Sequence, residues 1–266
     1  MSTDPFAQFK AMQREGWSHF APLEAFTTMP AAALVRYAGI RGGQTVLDVA
    51  CGTGPVAVTA ARAGARVCAL DLTPALLEHG RRNAQTAGVE VEFTEGDAEA
   101  LPYPDTMFDV VVSQFGHMFA PRPDKAIGEM LRVLRPGGRI AFSTWPHDQF
   151  VARAFALTGR YAPPPPPGSA PPSSWGDPDV VTERLGSAVK DLQFDRDLML
   201  FPCLSPQHYR QNVEATAGPV IKLVAALASD PARLQAYRSE VEALASLWFA
   251  DNAVRQHYLM TRATKL

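Results

Sequence analysis

The chain has 266 residues, 47% of them hydrophobic, enough to bury one large core with embellishments. Its formal charge is −2 with acidic and basic residues interspersed, which leaves no electrostatic footprint for nucleic acid or for an anionic membrane surface. The stretch MSTDPFAQFKAMQREGW lacks the layout of a secretion signal, and no run approaches the ~20 apolar residues of a spanning helix, so the expected location is the cytoplasm. Cys51, Cys68 and Cys203 are far apart and form no metal-ligand or redox spacing; they read as reduced thiols, and no metal is expected.

Residues 1–44 read as a helical, partly amphipathic arm whose Trp17, His19, Phe20 and Phe26 give it an aromatic character suited to covering a ligand. From 45 to 147 short β-branched runs alternate with helix-period segments, the pattern of parallel βα units with helices on both sheet faces. The strands are TVLDVA (45–50), ARVCALDL (65–72), VEVEFTEGD (89–97), FDVVVSQF (108–115) and RIAFSTW (139–145). Pro55 and Pro74 open helices, Thr73 is placed as an N-cap, Gly64 and Gly88 end helices, and a further helix fills 125–134. LRPGGR then reads as a tight turn into the fifth strand.

Residues 148–161 form a helix leading to PPPPPGSAPPSSWGDP, whose prolines force extended backbone; the 148–176 segment is expected as a lid or rigid loop rather than a ligand for another domain. Beyond it come a helix (177–186), a strand (189–201), two helices within 205–249 that form a cap, and a closing strand (254–265), all within one domain.

The chemistry concentrates at a glycine loop. Gly52, Gly54 and Ala57 fit G-x-G-x-x-A, and Asp71 ends the next strand where an acid would take ribose hydroxyls. Glycines let a ligand approach the backbone, and the helix behind them offers free N–H groups, a logic that serves a pyrophosphate or an amino-acid carboxylate equally. Asp48 decides against pyrophosphate, because its carboxylate would repel one and would welcome an ammonium. Cys51 fills the loop as a small packed side chain. Asp97 and Ala98 sit at the carboxyl edge of the sheet, where open α/β sheets bind ligands.

Together, VLDVACGTG, ALDLTPALLE, GDAEALPY, FDVVVSQFGHMF and EMLRVLRPGGRIAFSTW resemble the class I methyltransferases, particularly the branch of the ubiquinone/menaquinone biosynthesis methyltransferases. The resemblance covers roughly residues 45–145. It implies a Rossmann-like α/β fold with a seven-stranded, mostly parallel sheet whose last strand is antiparallel, and S-adenosylmethionine as cofactor, with S-adenosylhomocysteine as product. It also implies that Asp48, Ala50, Cys51, Gly52, Thr53 and Gly54 hold the methionine part, Asp71 and Leu72 the ribose, and Gly96, Asp97, Ala98 and Glu99 the adenine end. Ser113 and Gln114 would lie near the sulfonium. Ala50 stands where many such enzymes carry glycine.

The methyl donor is already activated, so a base is optional. His117 is the foremost candidate for a proton acceptor or substrate-orienting group, the alternative being a packed histidine. Trp17, His19, Phe20, Phe115 and Trp145 are candidates for lining the acceptor site. The acceptor is expected to be a small molecule, with a homodimer left open. A cofactor-binding module without catalysis and an NAD-dependent oxidoreductase are the competing readings; the second lacks a Tyr-x-x-x-Lys pair.

Overall fold

The computed structural model describes residues 4–266. Two helices, α1 (Ala7–Trp17) and α2 (Glu24–Ala38), precede the repeat of β1 (Thr45–Val49), α3 (Pro55–Arg62), β2 (Arg66–Asp71), α4 (Pro74–Ala87), β3 (Glu92–Glu95), β4 (Phe108–Gln114), α5 (Pro123–Val133) and β5 (Leu134–Thr144). There follow α6 (Phe150–Tyr161), α7 (Pro178–Leu185), β6 (Val189–Pro202), α8 (Pro206–Thr216), α9 (Gly218–Leu227), α10 (Pro231–Ser246), β7 (Phe249–Ala250) and β8 (Ala253–Lys265). Helices α3, α4, α5, α7, α8 and α10 all open on proline, whose missing N–H and fixed φ suit the first helical position.

The sheet order is β3-β2-β1-β4-β5-β8-β6. β1 to β5 are mutually parallel, and β8 runs antiparallel between β5 and β6. The sheet has eight strands where seven are expected, because two-residue β7 folds back on β8 in a hairpin. The central strands are buried on both faces, as their unbroken apolar runs require. Val46, Val110 and Val112 face Leu34, Val56 and Leu77 of α2, α3 and α4, while Leu47, Val49 and Val111 face Ile127, Met130, Val181 and Leu185 of α5 and α7. The order reverses at β1, with β2 on one side and β4 on the other, and this opens a crevice at their carboxyl ends.

Three expectations are corrected. LRPGGR is no turn: β5 already pairs at Leu134 with Phe108, and the register shifts before Arg139. Gly137 takes up the irregularity with φ +74°, and a Cβ on Gly138 would lie 2.8 Å from the Arg135 carbonyl oxygen. The segment 205–249 holds three helices, since Pro219 and Pro231 each restart the chain. The third strand shortens to Glu92–Glu95. The proline-rich stretch after α6 is an outer wall that lines no part of the cavity described below; fully buried Trp175 pins its far end, with its carbonyl accepting from Thr144 Oγ1.

A third apolar cluster joins Phe150 and Leu157 of α6 to Phe201, Tyr209, Leu223, Tyr237 and Val254, fastening the cap to the sheet edge. The arm closes on this cap through two glycines: a Cβ on Gly218 would lie 1.9 Å from the Gly16 carbonyl oxygen, so α1 and α9 touch backbone to backbone. The arm's other anchor is Lys10, only 8% exposed. Its ammonium donates to Asp4 at 2.8 Å, Asp97 at 2.6 Å and Glu99 at 2.6 Å. Arg122 adds bonds to Glu99 and Asp4. These carboxylates converge as metal ligands do, but Lys10 Nζ occupies their centre. Burial alone would lower the ammonium pKa; the three carboxylate bonds outweigh it and raise it. Asp4 is held down to about 2, chiefly by its bond to Lys10.

Lys10→Met keeps the side chain's length and leaves the carboxylates uncompensated. It should lower unfolding stability by roughly 2–4 kcal/mol, the lower range for a broken buried pair because Asp4 and Asp97 retain some water contact. Urea unfolding and amide hydrogen exchange measure this; α1 amides should lose protection first, and unchanged α1 protection would show that the glycine seam alone holds the arm.

Candidate active site

The loop from β1 to α3 is built around two buried carboxylates. Asp48, 1% exposed, accepts the Ala57 N–H at 3.1 Å on Oδ2, while Oδ1 has no partner among the described residues. Burial with so little compensation pushes its carboxyl up to about 8. Asp71 closes the loop from the neighbouring strand: Oδ2 accepts the Gly52 N–H at 2.8 Å and Oδ1 the Thr73 N–H at 2.8 Å. Burial raises its pKa too, against those backbone bonds. Thr73 is the N-cap of α4 as expected, its carbonyl accepting the Leu76 N–H at 3.0 Å; its hydroxyl makes no cap bond, and its own N–H is held by Asp71.

Ala50 adopts φ +55°, the left-handed region, which explains the glycine preferred at this position in similar sequences; alanine holds it at a cost of about 1–2 kcal/mol. Ala50 faces Gly116 across the crevice so closely that a Cβ on Gly116 would meet the Ala50 Cβ and carbonyl oxygen at 2.5 Å. Cys51 is a buried thiol whose pKa burial raises well above the ordinary value, consistent with packing and not with a nucleophile.

This loop forms one end of a cavity of about 490 Å³. Asp48, Ala50, Cys51, Gly52, Thr53, Asp71, Leu72, Gly96, Asp97 and Ala98 line that end, with Lys10 beside Asp97. Gln114, at the end of β4, stands at the middle: its Nε2 donates to the Thr27 carbonyl at 2.9 Å, which leaves Oε1 buried without a partner among the described residues. Beyond it Phe115 stacks on Trp145 with ring centroids 4.0 Å apart, and Trp17 packs against Phe119 at 4.7 Å. Trp17, Phe20, Phe115 and Trp145 all line the cavity, as do Phe26, Phe155, Met199, Phe201 and Tyr209.

Several expected site residues lie elsewhere. His117 is wholly buried off the cavity, with its ring 4.6 Å from those of Phe142 and Trp175. Neither ring nitrogen has a partner among the described residues, and burial pushes the imidazole down to about 3, so it is neutral at physiological pH. It starts a short helical turn that folds beneath the sheet edge, which swings the side chain inward. His19 is exposed past the end of α1. Glu99 is buried behind the cavity with Lys10 and Arg122. Gly54 serves as the left-handed N-cap of α3, and Ser113 ties β4 to the Val49 carbonyl. Gln256, which sequence reasoning missed, lines the cavity; its signal was a polar residue in register with Val254 and Tyr258 on the inward face of β8.

The comparisons with known proteins agree with this geometry. A family model described as "Methyltransferase domain" matches residues 46–138. The Mycobacterium tuberculosis protein Rv1403c is 35% identical over 87% of this chain and 85% of its own length. A demethylmenaquinone methyltransferase from Renibacterium salmoninarum is 43% identical over 41% of this chain and 44% of its own. Among solved structures, a methyltransferase fold from Bacillus halodurans superposes with a TM-score of 0.59 at 22% identity, covering 88% of this chain and 98% of that one. With the βα core, the loop and the flanking motifs in the same order, the chain belongs to the class I S-adenosylmethionine methyltransferase family and resembles its ubiquinone/menaquinone branch.

Proposed function

We propose that this chain uses S-adenosylmethionine to methylate O, N or C of a small-molecule acceptor. The observation that carries the reading is the unpartnered Oδ1 of Asp48 at the cavity wall: a buried carboxylate oxygen without a donor suits an ammonium group and repels a phosphate. Asp71, with a lone pair left on each oxygen, suits ribose hydroxyls; Gly96 to Ala98 offer an edge for adenine; and Gln114 Oε1 would be free to meet the bound ligand. When bound, S-adenosylmethionine supplies an activated methyl group on a sulfonium. The chain's own part is to orient the acceptor, by its aromatic walls, and to exclude water, by the arm and cap.

Calorimetric titration tests the reading. S-adenosylmethionine and S-adenosylhomocysteine should bind, NAD should not, and Asp71→Asn should weaken the adenosyl ligands by at least about tenfold, or 1.4 kcal/mol. NAD binding without adenosyl binding would return the loop to a dehydrogenase.

Asp48 yields a pH-dependent expectation. Its carboxyl rises from 3.8 unfolded to about 8 folded, so its contribution to the ligand-free fold is fully present below 3.8 and is lost as pH climbs to about 8. Asp48→Asn should therefore melt higher than the native chain at pH 8, with the difference shrinking towards pH 4, and should lose the thermal gain that S-adenosylmethionine gives the native chain. Thermal melts across that range measure both.

His117→Met should retain methyl transfer to within about threefold, because a buried ring with two unpartnered nitrogens gives up little when replaced by an apolar group. A loss of a hundredfold or more in kcat would restore His117 to the chemistry.

A further inference from the structure

The cavity divides sharply by charge. Its charged lining residues, Lys10, Asp48, Asp71 and Asp97, all belong to the end built by the glycine loop and the Gly96 to Ala98 turn. Past Gln114 the lining is neutral and largely aromatic or aliphatic. A charged acceptor placed there would have to shed its water with no counter-ion to meet it.

Two polar side chains in that neutral half have nothing to bond. β8 outruns β5, for Thr144, the last residue of β5, pairs with Leu259, so Gln256 projects past the carboxyl edge of the sheet, opposite Met199 of β6. Gln256 is only 5% exposed and lines the cavity, yet its amide has no hydrogen-bond partner among the described residues. Tyr209 of α8 is 7% exposed and lines the same chamber, packed edge-on to Phe201 at 4.9 Å; its hydroxyl likewise has no partner among the described residues. Tyr237, by contrast, has Thr158 within reach at 3.4 Å. Neither group is among the polar atoms sealed from the cavity, so the amide and the phenol open onto it and are free to bond whatever fills it.

We infer that the neutral half of the cavity selects an uncharged, mainly apolar acceptor, and that the Gln256 amide and the Tyr209 hydroxyl are positioning groups that grip its polar edge. The amide supplies both a donor and an acceptor, and the phenol either, so a hydroxyl or carbonyl on a flat or aliphatic skeleton fits the pair, with the stacked Phe115 and Trp145 rings as one wall. This rests on the methyltransferase reading, and it adds the acceptor's chemistry and the residues that read it.

The test is calorimetric binding to the full chain saturated with S-adenosylhomocysteine, using a panel of neutral phenols and naphthalene diols and their carboxylated counterparts as probes. The best neutral probes should bind at least about tenfold more tightly than their carboxylated partners. Gln256→Leu and Tyr209→Phe should each weaken the neutral probes by about fivefold or more, the loss of one hydrogen bond to a buried group, and leave S-adenosylhomocysteine affinity within about twofold. Three results would overturn the inference: carboxylated probes binding as well as neutral ones, no panel member binding a chain that does bind S-adenosylhomocysteine, or both variants keeping native probe affinity. Failure of the native chain to bind S-adenosylhomocysteine would instead sink the methyltransferase reading itself.

Discussion

Asp48, next to last in β1, has its carboxylate buried at the cavity wall, one oxygen accepting the Ala57 N–H and the other without a partner among the described residues. Keeping it there works against the fold, since a carboxyl pushed up to about 8 is one the protein interior would rather hold neutral. Everything around it is arranged to keep the position nonetheless. Leu47 and Val49 lock β1 into one face of the sheet and Val46 into the other, Ala50 turns left-handed directly after, and α3 starts with its N–H groups aimed back at the strand end. On the reading proposed above, the ammonium of the cofactor would meet this carboxylate and return the stability it costs.

How much of this the sequence disclosed follows the kind of signal each part leaves. The βα core was legible because burial on both sheet faces demands continuous apolar strands, and because Pro55 and Pro74 mark helix starts whatever surrounds them. The glycine loop and Asp71 were legible for a similar reason, that a turn and a buried acid after a strand leave few alternatives. His117 was misplaced because spacing gives the distance along the chain and not the direction in which a short turn rotates a side chain. Gly137 and Gly138 signalled an irregularity correctly, but glycine does not tell a turn from a bulge. Lys10 left almost no trace, since its role comes from carboxylates far away in sequence, and Gln256 showed only as a polar residue on an otherwise apolar strand face.

The walls of the cavity come from three separate parts of the chain: the sheet edge, the aromatic arm and the cap. The charged end is made by the sheet edge with Lys10 alone added from the arm, whereas the neutral end draws on arm, cap and the overhanging part of β8. On the reading proposed above, cofactor binding would rest on the part of the fold with the strongest constraints, and acceptor recognition on the additions to it. Residues on loops and caps can change without disturbing the sheet, which is how one scaffold comes to serve many acceptors.

The place of β8 between β5 and β6 bears on how the molecule comes together during synthesis. β5 is complete by Thr144, yet the partner that satisfies its outer edge is β8, Ala253–Lys265, which leaves the ribosome far later. Until then a long strand with an apolar face presents open N–H and C=O groups, the condition under which nascent chains pair wrongly with one another. The nascent core therefore spends much of translation with one wall of its cavity missing and an adhesive edge on display, so the order of synthesis sets a window for mispairing that only the last strand closes.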